Sequence, residues 1–274
     1  MGAGPHDAEP RRSGVLGAER LPPPRRSVAR GTLLVIVGGW SPAQVAHVES
    51  ATATARILRL RVPGWPGNLP GQHLDLRLTA EDGYQAVRSY SIASFGPGEE
   101  VELAVDEVAD GEVSPYLVHD VRPGDELEVK GPLGGFFVWH ADDPSPVQLI
   151  AGGSGIVPLL AMARARAASN STAPFRLLYS VRSPADAMYR AEVERLDAAG
   201  VALTWVFTRS APDGWTGRVG RVGAEDLRAA AAPVAESPAV FVCGPTGFVE
   251  AVASTLVQLG HDPGRVRTER FGGA

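Results

Sequence analysis

Cysteine is nearly absent: Cys243 is the only one in 274 residues. No intrachain disulfide can form, and the sequence can build neither an all-cysteine zinc site nor a four-cysteine iron–sulfur cluster. Long apolar runs are missing as well, and nothing approaches the roughly 18 residues that a membrane-spanning helix needs. The apolar stretch 32–37 is far too short, although it follows Arg25-Arg26, a pairing that a twin-arginine export signal would also show. Excess positive charge is the third absence. With a formal net charge of −5 there is no electrostatic footprint for nucleic acid. The six histidines (His6, His47, His73, His119, His140 and His261) are scattered without metal-ligand spacing. That argues against a metal site and reads them as surface or loop residues.

What is present is an ordinary globular composition and a length that suits two domains, each able to bury a core. Residues 1–39 mix Arg, Pro, Gly and Ala around Pro22-Pro23-Pro24 and are expected to form a disordered tail. From Ala55 strict alternation begins. Leu58, Leu60 and Val62 alternate with Arg59 and Arg61, and Leu74, Leu76 and Leu78 with Asp75 and Arg77. Val101, Leu103 and Val105, then Leu127 and Val129, continue the period, and Pro-Gly clusters separate the runs. Residues 40–145 therefore read as an all-β antiparallel barrel.

After Pro144-Ser145-Pro146 the grammar changes to apolar runs at 147–151, 175–179, 202–207 and 239–243, separated by helical spacing. Residues 146–274 thus read as an α/β domain with a doubly wound parallel sheet. Tyr189, Val193 and Leu196 fall on one helical face, as do Val249, Val252, Leu256 and Leu259. A barrel followed by such a sheet leaves an interdomain cleft, a usual place for a ligand.

Three motifs carry chemistry. Gly152-Gly153-Ser154-Gly155-Ile156-Val157-Pro158 follows one strand and opens a helix, where glycines let backbone approach a pyrophosphate and the helix N-terminus offers free N–H groups. Alone, the loop also describes a tight strand-to-helix turn. Arg88-Ser89-Tyr90-Ser91-Ile92-Ala93-Ser94 places a cation, an aromatic and hydroxyls on one strand, with Arg88 and Tyr90 on the same face; a guanidinium can grip phosphate and an aromatic can lie against a flat heterocycle. An ordinary strand with a snorkelling Arg is the bland alternative. Cys243-Gly244-Pro245-Thr246-Gly247-Phe248 closes the last apolar run, at the carboxyl end where ligands bind, although a lone buried Cys is also a small hydrophobe.

Taken together and in this order, Arg88-Ser89-Tyr90-Ser91, the loop from Gly152 to Pro158 and Cys243-Gly244-Pro245 resemble the ferredoxin–NADP reductase family of flavoenzymes. The resemblance implies an FAD-binding barrel and an NAD(P)-binding domain, with no fused ferredoxin domain. It implies that Arg88 contacts the FAD phosphate, Tyr90 packs on the isoalloxazine ring and Ser91 lies near its reactive nitrogen, with Ser89 among the cofactor-binding residues. Gly111, Val113 and Ser114 belong to a second flavin loop, while Asp106-Glu107 stand where the family often has a basic residue. Gly153, Ser154, Gly155, Ile156 and Pro158 would cradle the nicotinamide nucleotide, with Cys243, Gly244 and Pro245 beside the nicotinamide. Arg182 and Ser183, with Tyr189 beyond them, favour a ribose 2′-phosphate, hence NADPH before NADH; Arg209 could serve the same purpose. Phe271 is the expected aromatic gate over the flavin, and Glu269 acts nearby.

The leading expectation is a cytoplasmic reductase that moves hydride from NADPH to FAD and electrons on to a separate acceptor, such as a ferredoxin, a haem protein or an oxygenase component. Two alternatives stay open: a flavin or ferric reductase with a diffusible small acceptor, and a non-catalytic electron-transfer or regulatory subunit.

Overall fold

The computed structural model describes Met1 and residues 39–272. The tail expected over 1–39 and the apolar stretch 32–37 thus lie outside the described residues, apart from Met1 and Gly39.

Alternation in the first half produces six antiparallel strands: β1 (Ser41–Ser50), β2 (Ala55–Arg61), β3 (His73–Thr79), β4 (Gln85–Ser91), β5 (Glu100–Asp106) and β6 (Glu126–Leu133). They form one sheet in the order β4-β3-β6-β1-β2-β5. A bridge between Ile92 and Leu103 brings its two edges together as a barrel. Leu58, Leu60, Leu74, Leu76, Leu103 and Val105 point inward into one fully buried cluster, which Leu117 of the short helix α1 (Ser114–His119) joins. Ile57 and Ala104, one residue out of step, point the other way and pack on the second domain.

The second half forms five parallel strands, β7 (Val147–Gly152), β8 (Phe175–Val181), β9 (Val201–Phe207), β10 (Ala239–Pro245) and β11 (Val266–Phe271), in the order β11-β10-β7-β8-β9. Both faces are covered, as parallel sheets require. Leu149, Leu177 and Phe241 meet α2 (Ile156–Ala168) and α3 (Arg190–Ala198) on one face. Ile150, Leu178 and Val242 meet α4 (Ala224–Ala230) and α5 (Thr246–Gln258) on the other. The chain runs outward from β7 through β8 to β9, then returns to the opposite side of β7 to lay down β10 and β11. The strand order therefore reverses between β7 and β10, and the crevice at their carboxyl ends is where open α/β sheets bind ligands.

Four elements lay outside the sequence reading: β1, β11, α1 and α4. One histidine needs correction: His73 lies half-buried on β3, whereas His47 is exposed on β1 and His261 sits in the loop beyond α5, buried there so that loss of solvent lowers its pKa.

Candidate active site

At the reversal point β7 ends in Gly152, a single 3-10 turn covers Gly153–Gly155, and α2 begins at Ile156. Each glycine answers a different demand. Gly153 has φ +55 with open space around it, so it supplies a left-handed turn facing the cleft. Gly155 has an ordinary helical φ, but a Cβ there would collide with the Cys243 carbonyl oxygen. A Cβ on Gly152 or on Gly244 would come within 2.7 Å of the Phe248 ring. The ends of β7 and β10 can meet only because these positions carry no side chain.

A cleft of about 210 Å³ opens there. Gly152, Gly153 and Ser154 line it with Arg182, Pro245 and Phe271, so the second-half motifs converge. The barrel contributes Thr52, Thr54 and Asp106, which had not been assigned to the site, and Asp186, Met188, Thr208 and Phe248 complete the wall. Asp106 accepts from the Thr54 hydroxyl at 3.0 Å, and burial raises its pKa against the pull of that bond and of Arg182. Asp186 accepts from the Ser183 hydroxyl. The region expected to read a 2′-phosphate thus holds one cation flanked by two carboxylates. Asp186 stood three residues beyond Ser183 in the same loop, so its position was visible in the sequence; Asp106 reaches the cleft only through the fold.

Several expected site residues lie behind the cleft. Gly155 is buried against β10, and Ile156 and Pro158 are buried in the first turn of α2, the latter without an N–H to offer. They shape the loop and do not line it. Tyr189 is displaced further. It precedes α3 in a left-handed conformation, φ 54, and its hydroxyl donates to Glu102 of the barrel at 3.0 Å. A side chain held in that way does not face the 2′-phosphate region.

Cys243 is buried opposite Glu269, its register partner on β11. Burial, then the charge of Glu269, raises the thiol pKa well above its usual value, so Cys243 is a neutral thiol that packs and does not attack. Burial also raises Glu269 from 4.5 to about 7. The folded state therefore holds this proton more tightly than the unfolded chain, and stability falls as pH rises from about 4.5 to about 7. Glu269→Gln removes the buried charge; its melting temperature is expected to exceed that of the parent at pH 8 and to match it at pH 4.5, a comparison that scanning calorimetry makes directly.

On the barrel, strand register sets Tyr90 opposite Leu74 and Arg88 opposite Leu76, on the inward face of edge strand β4. Tyr90 packs half-buried against the barrel core, and burial raises its pKa. Arg88 stays half exposed and reaches Glu112 at 2.6 Å. Glu112 also accepts from the Tyr84 hydroxyl at 2.9 Å, which, ahead of Arg88, holds its carboxyl pKa low. The Ser89 hydroxyl donates to Asp75 at 2.6 Å, and Ser91 pairs with His73. Gly111 turns the chain toward α1, Val113 is buried in the core, and Ser114 Oγ accepts from the Val108 N–H at 3.0 Å. Arg88, Tyr90 and Ser91 thus share one strand beside the 111–114 turn, a flat aromatic next to a cation that a dinucleotide could draw away from Glu112.

A barrel joined to a doubly wound sheet, with a glycine cradle at the switch point, defines a two-domain nucleotide-binding oxidoreductase. Residues 42–138 match the oxidoreductase FAD-binding domain and residues 149–254 the oxidoreductase NAD-binding domain. The chain belongs to the ferredoxin–NADP reductase-type family of FAD- and NAD(P)-binding oxidoreductases.

Among its relatives is a flavohemoprotein of Vibrio cholerae, 29% identical over 86% of this chain and 61% of its own length. Another is the ferredoxin–NAD(P)+ reductase component of the naphthalene 1,2-dioxygenase and salicylate 5-hydroxylase systems of a Ralstonia species, 29% identical over 83% of this chain and 67% of its own length. The solved FAD/NAD-binding domain of a Vibrio cholerae nitric oxide dioxygenase superposes with a TM-score of 0.76 at 26% identity, covering 85% of this chain and 99% of that one. The chain spans roughly half to two thirds of the length of these curated relatives. Among the described residues, no helix is long and apolar enough to cross a membrane.

Proposed function

We propose that this chain is a cytoplasmic NAD(P)H reductase that accepts hydride from NADPH onto FAD and delivers electrons to a separate acceptor. The observation that carries the reading is the cleft at the β7/β10 switch point, where Gly153, Ser154 and Pro245 meet Phe271 and barrel residues in one concave surface. Residues 40–145 hold FAD and residues 146–274 the nicotinamide nucleotide. FAD, when bound, supplies the exchange between two-electron and one-electron chemistry. The protein supplies the alignment.

In this reading Arg88 and the 111–114 turn grip the FAD phosphates, and Tyr90 and Ser91 border the ring. Gly153 and Ser154 present backbone N–H groups to the nucleotide pyrophosphate. The neutral Cys243 thiol and the protonatable Glu269 would stand on the nicotinamide side, and Phe271, 36% exposed at the end of β11, would be the aromatic that shields the flavin and yields to the nicotinamide. With a single cysteine, the sequence has no iron–sulfur cluster of its own to serve as acceptor. Relatives described as reductase components of oxygenase systems support a ferredoxin or oxygenase component in that role.

Arg182 selects NADPH, and Asp186 opposes it by occupying Ser183 and adding negative charge to the same wall. Arg182→Ala is expected to lower kcat/KM for NADPH about tenfold with little change for NADH, the loss expected for one charge-assisted hydrogen bond. Asp186→Asn is expected to move the ratio in the opposite direction. Steady-state kinetics with both nucleotides checks the pair. Equal losses with NADPH and NADH in Arg182→Ala would remove Arg182 as selector.

A further inference from the structure

The two domains share an apolar seam in which Ala55, Ile57, Ala93 and Ala104 of the barrel pack on the α2 face of the parallel sheet. Such contact is non-directional and sets no register between the halves. Charged side chains do: Arg267 of β11 donates to the Val138 carbonyl at 2.8 Å, and Arg164 makes the more extensive link. Arg164, midway along α2, is anchored within its own domain by Nε and Nη2, which donate to the two carboxylate oxygens of Glu192 on α3 at 2.6 and 2.7 Å, and reaches across the boundary with Nη1. Nη1 donates to Glu102 of β5 at 2.8 Å and to the Ala93 carbonyl at 2.9 Å. Glu102 also accepts from Tyr189 and, at 3.2 Å, from Arg59, while the Tyr189 ring lies 5.2 Å from the guanidinium. The cluster is largely shielded, with Glu102 at 12% and Arg164 at 21% side-chain exposure.

Its position in the chain gives it consequence. Ala93 lies two residues past Ser91 on the flavin strand, and its N–H donates to the Glu102 carbonyl at 2.8 Å. Arg164 lies on the helix that opens at the Gly153–Gly155 turn. A single planar fork therefore joins the continuation of one cofactor strand to the helix behind the other cofactor loop, and its four hydrogen bonds, two within the nucleotide domain and two to the barrel, fix an angle that packed methyl groups leave free. Burial of the guanidinium would by itself lower its pKa, but Glu192 and Glu102 reverse that and keep it charged.

We propose that Arg164 is a positioning residue for hydride transfer, clamping the barrel to the nucleotide domain so that the two cofactors meet in register. The proposal rests on the reductase reading above. Because a displacement of about 1 Å at a reacting centre costs on the order of 100-fold in rate, loss of the fork acts on the transfer step while leaving each cofactor site intact.

The test uses the full, FAD-loaded chain and its Arg164→Lys, Arg164→Ala and Tyr189→Phe variants, mixed anaerobically with NADPH. Four quantities are read: the limiting rate of flavin bleaching, its half-saturation, the long-wavelength nicotinamide–flavin charge-transfer absorbance, and the melting temperature. Arg164→Lys keeps the charge and loses the fork. Its limiting rate is expected to fall on the order of 100-fold and its charge-transfer absorbance to fade, with half-saturation and FAD content unchanged. Tyr189→Phe, which removes one donor from Glu102, keeps the question open to measurement if the Arg164 variants fail to fold, and should show a smaller fall in both. Variants with a lower melting temperature but normal limiting rate and charge-transfer absorbance would reduce the network to a structural clasp and overturn the proposal. A parent chain bleached by neither nucleotide would instead overturn the reductase reading, and the positioning role with it.

Discussion

Gly155→Val is expected to abolish flavin reduction by either nicotinamide nucleotide while leaving FAD binding in place. A Cβ at this position collides with the Cys243 carbonyl oxygen and sits 2.8 Å from the Gly244 nitrogen. Neither backbone atom can retreat, because β10 is hydrogen-bonded on both sides, to β7 and to β11. The loop must move instead. Overpacking of this kind costs about 1–3 kcal/mol, and it falls on the turn proposed to hold the pyrophosphate. Gly155→Ala should already slow the limiting rate on the order of 100-fold. Gly153→Ala is the control: it meets only the penalty of a left-handed backbone, about 1–2 kcal/mol, with no atom to strike. Stopped-flow reduction and nucleotide titration read both variants, and a Gly155→Val protein reduced at the parental rate would refute the assignment of this loop.

Arg88→Ala is expected to weaken FAD binding by about 10- to 100-fold with almost no change in melting temperature. Its only ionic partner among the described residues, Glu112, forms a solvent-exposed pair with it, and exposed pairs add little to folding. A residue whose removal costs affinity but not stability is there for the ligand. Glu112 makes the contrast sharper, because its carboxylate competes with a phosphate for the same guanidinium. Glu112→Ala should therefore bind FAD more tightly than the parent, opposite in sign to Arg88→Ala. Fluorescence titration of the apoprotein measures both, and weakening in both variants would mean that the pair serves as a structural unit.

The two-domain fold was legible in the sequence because its signals are local. Leu58-Leu60-Val62 and Leu74-Leu76-Leu78 announce half-buried strands by period two, and the doubly covered strands beyond 146 announce themselves as unbroken apolar runs. β11 escaped notice because Val266–Phe271 is a charged edge strand whose residues are at most half-buried, and α4 because seven alanine-rich residues carry little periodicity. At the site, motifs contiguous in sequence stayed contiguous in space, which is why Gly153, Ser154, Arg182, Pro245 and Phe271 meet in one cleft. Residues whose roles depend on distant partners could not be read that way. Tyr189 was placed in the nucleotide site by its spacing from Arg182, yet it pairs with Glu102, a residue of the other domain. The place of Asp106 in the cleft wall and the role of Arg164 became visible only once the barrel and sheet were docked. Ile156, Pro158 and Val113 belong to binding motifs but are buried as scaffold, since a motif records both the groups that touch a ligand and those that hold them in place.

Hydride transfer from NADPH to the bound flavin is tested by anaerobic stopped-flow absorbance of the FAD-loaded protein mixed with NADPH or NADH, following the oxidised flavin band. Rapid bleaching by NADPH and slower bleaching by NADH are expected. A flavin that remains oxidised with both nucleotides would contradict this and leave a nucleotide-binding subunit without hydride-transfer activity.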